Sequence, residues 1–201
     1  MPAKRIGFPC AKITSDKLCF DTSFVVEVYY SPKDPAQATS RKTNCDAFLD
    51  QLIKEGKPCH ITFSVYGEMI DKIIEDVIAE NIYSHIGLRN YRSIWRDYYK
   101  ANKKKIPGLD NRLNDSIEKF HKWLGDHKIY ILPFSHDPTL SIMPQKNLTY
   151  TSEIAEYCKK YKILSDDARI IIEARHKGID NFVSLDWDFL GVDGIIVYTH
   201  K

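Results

Sequence analysis

The sequence predicts a three-layer α/β/α fold, with helices on both faces of a mainly parallel central sheet. Two observations predict it. Short apolar, β-branched runs alternate along the chain with longer stretches whose apolar residues recur at i, i+3 and i+4. Acidic residues recur where the short runs end, and open parallel sheets place their sites beyond the carboxyl ends of their strands. The 201 residues fit one domain spanning 1–201, with a helical insertion at about 82–127.

Leu18-Cys19-Phe20 forms a first strand that stops at Asp21-Thr22-Ser23, and residues 24–30 begin a helix. Residues 31–45 are rich in polar and chain-breaking types and read as an exposed loop, with Asn44 placed to cap the next helix. Ala47, Phe48, Leu49, Leu52 and Ile53 make that helix, a short one closed by Gly56. Residues 59–65 suit a buried strand, and Met69, Ile70, Ile73, Ile74, Val77 and Ile78 mark a long amphipathic helix with Glu68 at its start. Residues 82–105 read as helical, with a break near Gly87 and a stop at Pro107-Gly108. Leu113, Ile117, Phe120 and Leu124 then share one helical face. Residues 128–134 form a strand. Ser152 and Ser165 are placed to cap two further helices, and residues 181–185 and 195–198 close the sheet.

Composition narrows the function. With 43% hydrophobic and 28% charged residues, the chain is of ordinary globular type. Its 29 basic and 27 acidic residues leave a net charge of +2, so no bulk field marks a nucleic-acid binder, and any such role rests on local patches. No apolar run approaches the roughly 18–20 residues of a membrane span, and no secretory-type apolar segment stands at the start. The five cysteines are scattered, without a CxxC pair. A cytoplasmic chain with reduced thiols is expected.

Asp21 ends one strand, Glu68 stands beyond the next, and Asp186 ends a later one; Asp166 and Asp167 open the helix between. If these strands are neighbours, the carboxylates converge, and their repulsion calls for a cation. All-oxygen ligation favours Mg²⁺ or Mn²⁺. The middle segment carries Tyr91, Arg92, Trp95, Arg96, Tyr98, Tyr99 and Lys103. Two readings of it stay open: aromatics and bases that bind single-stranded RNA, with Arg92, Trp95, Arg96 and Lys103 as the contacts, or an amphipathic helix whose aromatics pack inward.

Four segments, in order, resemble the PIN-domain nucleases, which include the VapC-type toxins of toxin–antitoxin pairs. They are residues 18–23 (LCFDTS), 61–70 (ITFSVYGEMI), 165–174 (SDDARIIIEA), and Ser184-Leu185-Asp186-Trp187-Asp188-Phe189. About twenty residues separate the Asp-Ala pair from the last acid, and the combination is more specific than any one segment. The resemblance implies a PIN-like nuclease in which Asp21, Glu68, Asp167 and Asp186 hold Mg²⁺ or Mn²⁺ and catalyse hydrolysis of phosphodiester bonds in single-stranded RNA. It implies Asp188 as a further ligand, with Asp166, Ser23 and Ser184 as supporting groups. A homodimer and an antitoxin protein are the partners it suggests beside RNA. The competing expectation is a non-catalytic PIN-like module that binds RNA or protein. A haloacid-dehalogenase-type phosphatase would need a second acid in Asp-x-Asp, where this chain has Ser23.

Overall fold

The structure, a computed structural model, describes residues 2–8, 13–30, 39–86, 94–133 and 144–200. Its elements run β1 (Lys4–Phe8), β2 (Leu18–Phe20), α1 (Thr22–Tyr29), α2 (Ser40–Lys54), β3 (Cys59–Ile61), α3 (Phe63–Ile86), α4 (Trp95–Asn102), α5 (Leu109–Asp126), β4 (Ile129–Ile131), α6 (Pro144–Tyr161), α7 (Ser165–Arg175), β5 (Asn181–Val183) and β6 (Ile196–His200). A 3₁₀ turn, Asp188–Gly191, lies between the last two strands. The six strands form one sheet in the order β1-β6-β5-β2-β3-β4, and every pairing is parallel. The architecture is three-layer α/β/α. Right-handed crossovers set α1 to α5 on one face of the sheet and α6 and α7 on the other.

The strand order locates the site. The chain runs outward from β2 through β3 to β4, then returns to lay β5 against the other side of β2 and continues to β6. The order therefore reverses between β2 and β5, and a crevice opens at that switch point beyond the carboxyl ends of both strands. The register pairs Phe20 with Val183, so the next residues, Asp21 and Ser184, emerge side by side.

Aromatic packing fixes the helices against the sheet. On one face, Phe8 of β1 stacks on Phe48 of α2 with centroids 4.5 Å apart, and Phe24 of α1 meets Phe20 of β2 edge-on at 5.0 Å. Tyr29 of α1 meets Phe120 of α5 at 5.1 Å. Opposite, α7 buries Ala168, Ile170, Ile171, Ile172 and Ala174, while Phe182 of β5 packs edge-on against Phe189.

Several boundaries differ from the sequence reading, each for a local reason. β1 has no counterpart in that reading, because two exposed charges and a glycine hide a short edge strand. α2 begins at Ser40 inside the expected loop: Thr39, not Asn44, caps it, accepting from the Lys42 amide at 3.2 Å. Asn44 instead bonds the His200 ring at 3.0 Å. Lys42 is buried, donating to the Val28 carbonyl at 3.2 Å and to Asp46 at 2.6 Å, so a polar-looking stretch docks as a helix. β3 stops at Ile61 because the Thr62 hydroxyl accepts from the Val65 amide at 3.2 Å and turns Phe63 and Val65 into α3. Ser152 lies well inside α6, and Ser165 is the first residue of α7, one past the capping position held by Leu164. Gly56 closes α2 with a left-handed φ of 64°.

The expected insertion divides in two. Phe120 and Leu124 of α5 belong to the main core, whereas Val77, Ile78, Trp95, Ile106 and Leu109 form a separate apolar cluster under α4. The expected break near Gly87 and the residues Tyr91 and Arg92 lie outside the described residues. Phe48 tests the main core. It is fully buried between Phe8 and Tyr198. Phe48→Ala should lower stability by about 3–5 kcal/mol, read as a lower urea midpoint at unchanged slope.

Candidate metal centre

Asp21 is the residue that caps α1, and it is buried at 3% exposure. Its Oδ1 accepts from the Thr22 amide at 2.7 Å, and its Oδ2 accepts from the hydroxyls of Ser23 and, at 2.8 Å, Ser184. Those hydroxyls in turn accept amides from the segment that follows β5: Leu185 donates to Ser23 Oγ and Asp186 to Ser184 Oγ, each at 3.0 Å. The two serines thus stitch the ends of β2 and β5 together around one carboxylate. Both lone pairs of Oδ2 are used by this arrangement, which leaves Asp21 a free site on Oδ1 only. Burial pushes its pKa up, and the serine and amide donors oppose that rise.

Beyond β5 the chain folds back on itself. The Asp188 amide donates to Asp186 Oδ1 at 3.0 Å, a local turn that brings two acids to one side. α7 delivers Asp167 to the same place, and one carboxylate oxygen from each of Asp167, Asp186 and Asp188 lies within 4.8 Å of the others. The Asp167 carboxyl is pushed up to about 7, first by burial and then by the charges of Asp21, Asp186, Asp188 and Glu68. The sequence-predicted acids are therefore brought together electrostatically, with Asp167, Asp186 and Asp188 in closest array.

Glu68 lies in the second turn of α3. Its Oε2 accepts from Thr22 Oγ1 at 2.6 Å, while Oε1 is buried with no hydrogen-bond partner among the described residues. Burial raises its pKa, as do the charges of Asp21 and Asp166. A buried, unpartnered carboxylate oxygen calls for an explanation, and a cation supplies one. The donors are all oxygen, as hard divalent ions prefer. By these two observations the residues fit a Mg²⁺- or Mn²⁺-type ion, held by Asp167, Asp186 and Asp188 with Glu68 and Asp21 alongside.

Sequence reasoning misses Glu173, because Ile-Ile-Ile-Glu-Ala reads as an ordinary helix surface turn. It is 6% exposed. It accepts from the Ser64 amide at 3.1 Å, the Ser64 hydroxyl at 2.7 Å and the Tyr150 hydroxyl at 3.0 Å. A carboxylate of α7 therefore sits on the N-terminus of α3, where the helix dipole favours negative charge, and it holds Asp167 and Glu68 in fixed relation.

A cleft of about 740 Å³ adjoins the acids and shares Thr22, Glu68 and Asp166 with them. Asp166 is ion-paired with Arg169 on its own helix. Trp95 and Arg96 line the cleft, but Trp95 is nearly buried within the apolar cluster under α4, with the Arg96 guanidinium 5.3 Å from its ring. Arg96 is exposed and 3.4 Å from Asp71; Lys103 lies 5.9 Å from the Tyr99 ring. Arg92 lies outside the described residues. Cys19, Cys45, Cys59 and Cys158 are free thiols. Burial pushes Cys45 and Cys59 up to about 12, so neither is a ready nucleophile.

No protein-family model, curated protein or solved structure matches this chain. Among the described residues, no helix is long and apolar enough to cross a membrane.

The Asp167 shift has a stability consequence. Its folded value of about 7 lies above the ordinary 3.8. Ionising it therefore costs more in the fold than in the unfolded chain. The penalty is absent below about pH 4, grows as pH rises and is complete above about pH 7. In EDTA, Asp167→Asn should raise Tm at pH 8 by roughly 2–4 °C, equivalent to about 1 kcal/mol after solvent screening, and should change it little at pH 4. Adding Mn²⁺ at pH 8 should raise the wild-type Tm and leave the variant nearly unchanged. Both readouts come from thermal scans monitored by circular dichroism.

Proposed function

We propose that the chain is a divalent-metal-dependent endoribonuclease of the PIN-like kind, hydrolysing phosphodiester bonds of single-stranded RNA. The observation that carries this reading is the convergence of Asp167, Asp186 and Asp188, within 4.8 Å of one another, at the switch point of a parallel sheet and beside the buried Asp21 and the half-buried Glu68. Bound Mg²⁺ or Mn²⁺ supplies Lewis acidity toward water and toward the phosphoryl oxygens. The chain's own residues do the positioning. Asp167, Asp186 and Asp188 would provide the ligand oxygens, the Glu68 Oε1 has no partner among the described residues, and Ser23 and Ser184 hold Asp21 in a single orientation.

The adjoining cleft suits an extended strand. Lys72, Arg96 and Arg169 line it, paired with Glu75, Asp71 and Asp166, so a phosphate would exchange for those carboxylates, and Phe63, 52% exposed, offers a face to a base. The resemblance of the four motif segments to the PIN-domain nucleases supports the same reading. Within that family the chain is either a VapC-like toxin, with an antitoxin partner, or a stand-alone RNA-processing enzyme, and the family habit makes it a cytoplasmic homodimer.

The test is cleavage of a labelled single-stranded RNA. Activity should require Mg²⁺ or Mn²⁺ and disappear in EDTA. Asp167→Asn and Asp186→Asn should each lower kcat by about a hundredfold or more while circular dichroism stays native. Undiminished cleavage in EDTA, or by either variant, would overturn the proposal.

A further inference from the structure

Leu164 and Trp187 are the most exposed large hydrophobics among the described residues, at 73% and 65%, and both flank the acids in the chain. Leu164 precedes Asp166 and Asp167, and Trp187 separates Asp186 from Asp188. Trp187 has a definite setting. The turn closed by the Asp188 amide and Asp186 Oδ1 brings the carboxylates of residues 186 and 188 to Asp167, and Trp187 is the exposed residue between those two ligand candidates. There the Arg5 guanidinium of β1 lies 4.7 Å from the indole centroid. Arg5 is itself tethered, its Nη2 donating to the His200 carbonyl at 3.4 Å.

A guanidinium over one face leaves the opposite face of an indole this exposed open to solvent. That face is flat, polarisable and backed by positive charge, the arrangement on which nucleic-acid bases stack without regard to sequence. An apolar protein contact would need apolar surface continuous with the indole. The indole instead meets a charge, Arg5, and its two chain neighbours, Asp186 and Asp188, are exposed acids.

We propose that Trp187, backed by Arg5, is the stacking platform for the base of a nucleotide flanking the cleaved phosphodiester of single-stranded RNA. This rests on the nuclease reading of the acid cluster and adds its substrate contact. The turn that gathers the acids is the same turn that presents the indole, so a base on Trp187 holds the neighbouring phosphate over the carboxylates.

Binding separates the two claims, because it needs no cleavage. Fluorescence anisotropy of a labelled mixed-sequence RNA 12-mer is read with the Asp167→Asn protein, which is expected not to cut. Adding Trp187→Ala should weaken binding by about 5- to 100-fold, the loss of one stacked base. Adding Trp187→Phe instead should keep affinity within about threefold of the parent, since a smaller aromatic face still stacks. A sugar-phosphate strand of the same length without bases should bind the parent about as weakly as the RNA binds the alanine variant. Equal affinity of the alanine variant and its parent would overturn the platform and leave the surface to a protein partner, as would a loss that phenylalanine fails to rescue. RNA binding that depends on Trp187 in a wild-type protein that never cuts would uphold the platform and sink the nuclease reading alone. Because the indole is mostly exposed, native circular dichroism of each variant is expected and is checked alongside.

Discussion

The site depends on a carboxylate that has been taken out of water. Asp21 caps α1, receives the hydroxyls of Ser23 and Ser184, and through them holds the amides of Leu185 and Asp186. Burying a charge is unfavourable unless donors surround it, and these donors come from both strands that border the switch point. Satisfying Asp21 therefore fixes where β5 ends relative to β2. That in turn fixes where Asp186 and Asp188 begin. Removing the carboxylate would leave the buried Ser184 hydroxyl and the half-buried Ser23 hydroxyl without their acceptor and release the link between the strand ends.

A second carboxylate does comparable work between helices. Glu173 binds the first turn of α3 from the last turn of α7, with donors at 2.7–3.1 Å. Because α7 also carries Asp167 at its start and α3 carries Glu68 in its second turn, this contact sets one acid against the other. Apolar packing alone would tolerate small slips of α7 along α3. A buried acceptor matched to an amide and two hydroxyls does not, since any slip strands a desolvated oxygen.

Strongly periodic elements are legible in the sequence: α3, α5 and α7 show their apolar stripes, and the parallel sheet is implied by alternation of type. So is the order of acids along the chain, because each stands just past a strand or opens a helix. Segments whose burial depends on distant partners are hidden. The start of α2 reads as a polar loop until Lys42 finds the Val28 carbonyl, and β1 reads as nothing until β6 pairs with it. Glu173 and Trp187 escape in opposite senses. Nothing in the local pattern marks the glutamate as buried beneath donors from α3 and α6, and nothing marks the tryptophan as exposed. Position along the chain carries periodicity, but the neighbour that decides burial is supplied only by the fold.

The acids also show which force the fold leaves unbalanced. Asp21 stands at the N-terminus of α1, Asp166 and Asp167 in the first turn of α7, and Asp188 in the first turn of the 3₁₀ segment. Each helix end favours a nearby negative charge by about 0.3–1 kcal/mol. Two carboxylates at the spacing seen among Asp167, Asp186 and Asp188 repel by between about 1 and 4 kcal/mol per pair, depending on how much water screens them. Repulsion wins, and it adds to burial, the larger cause, in raising Asp167 to about 7. More hydrogen-bond donors would not reverse it, because Asp21 already uses both lone pairs of Oδ2 and Glu68 keeps one buried oxygen that no donor among the described residues reaches. A divalent cation adds an attraction to every carboxylate at once, where a donor satisfies only one, so it is the group whose charge matches what this arrangement lacks.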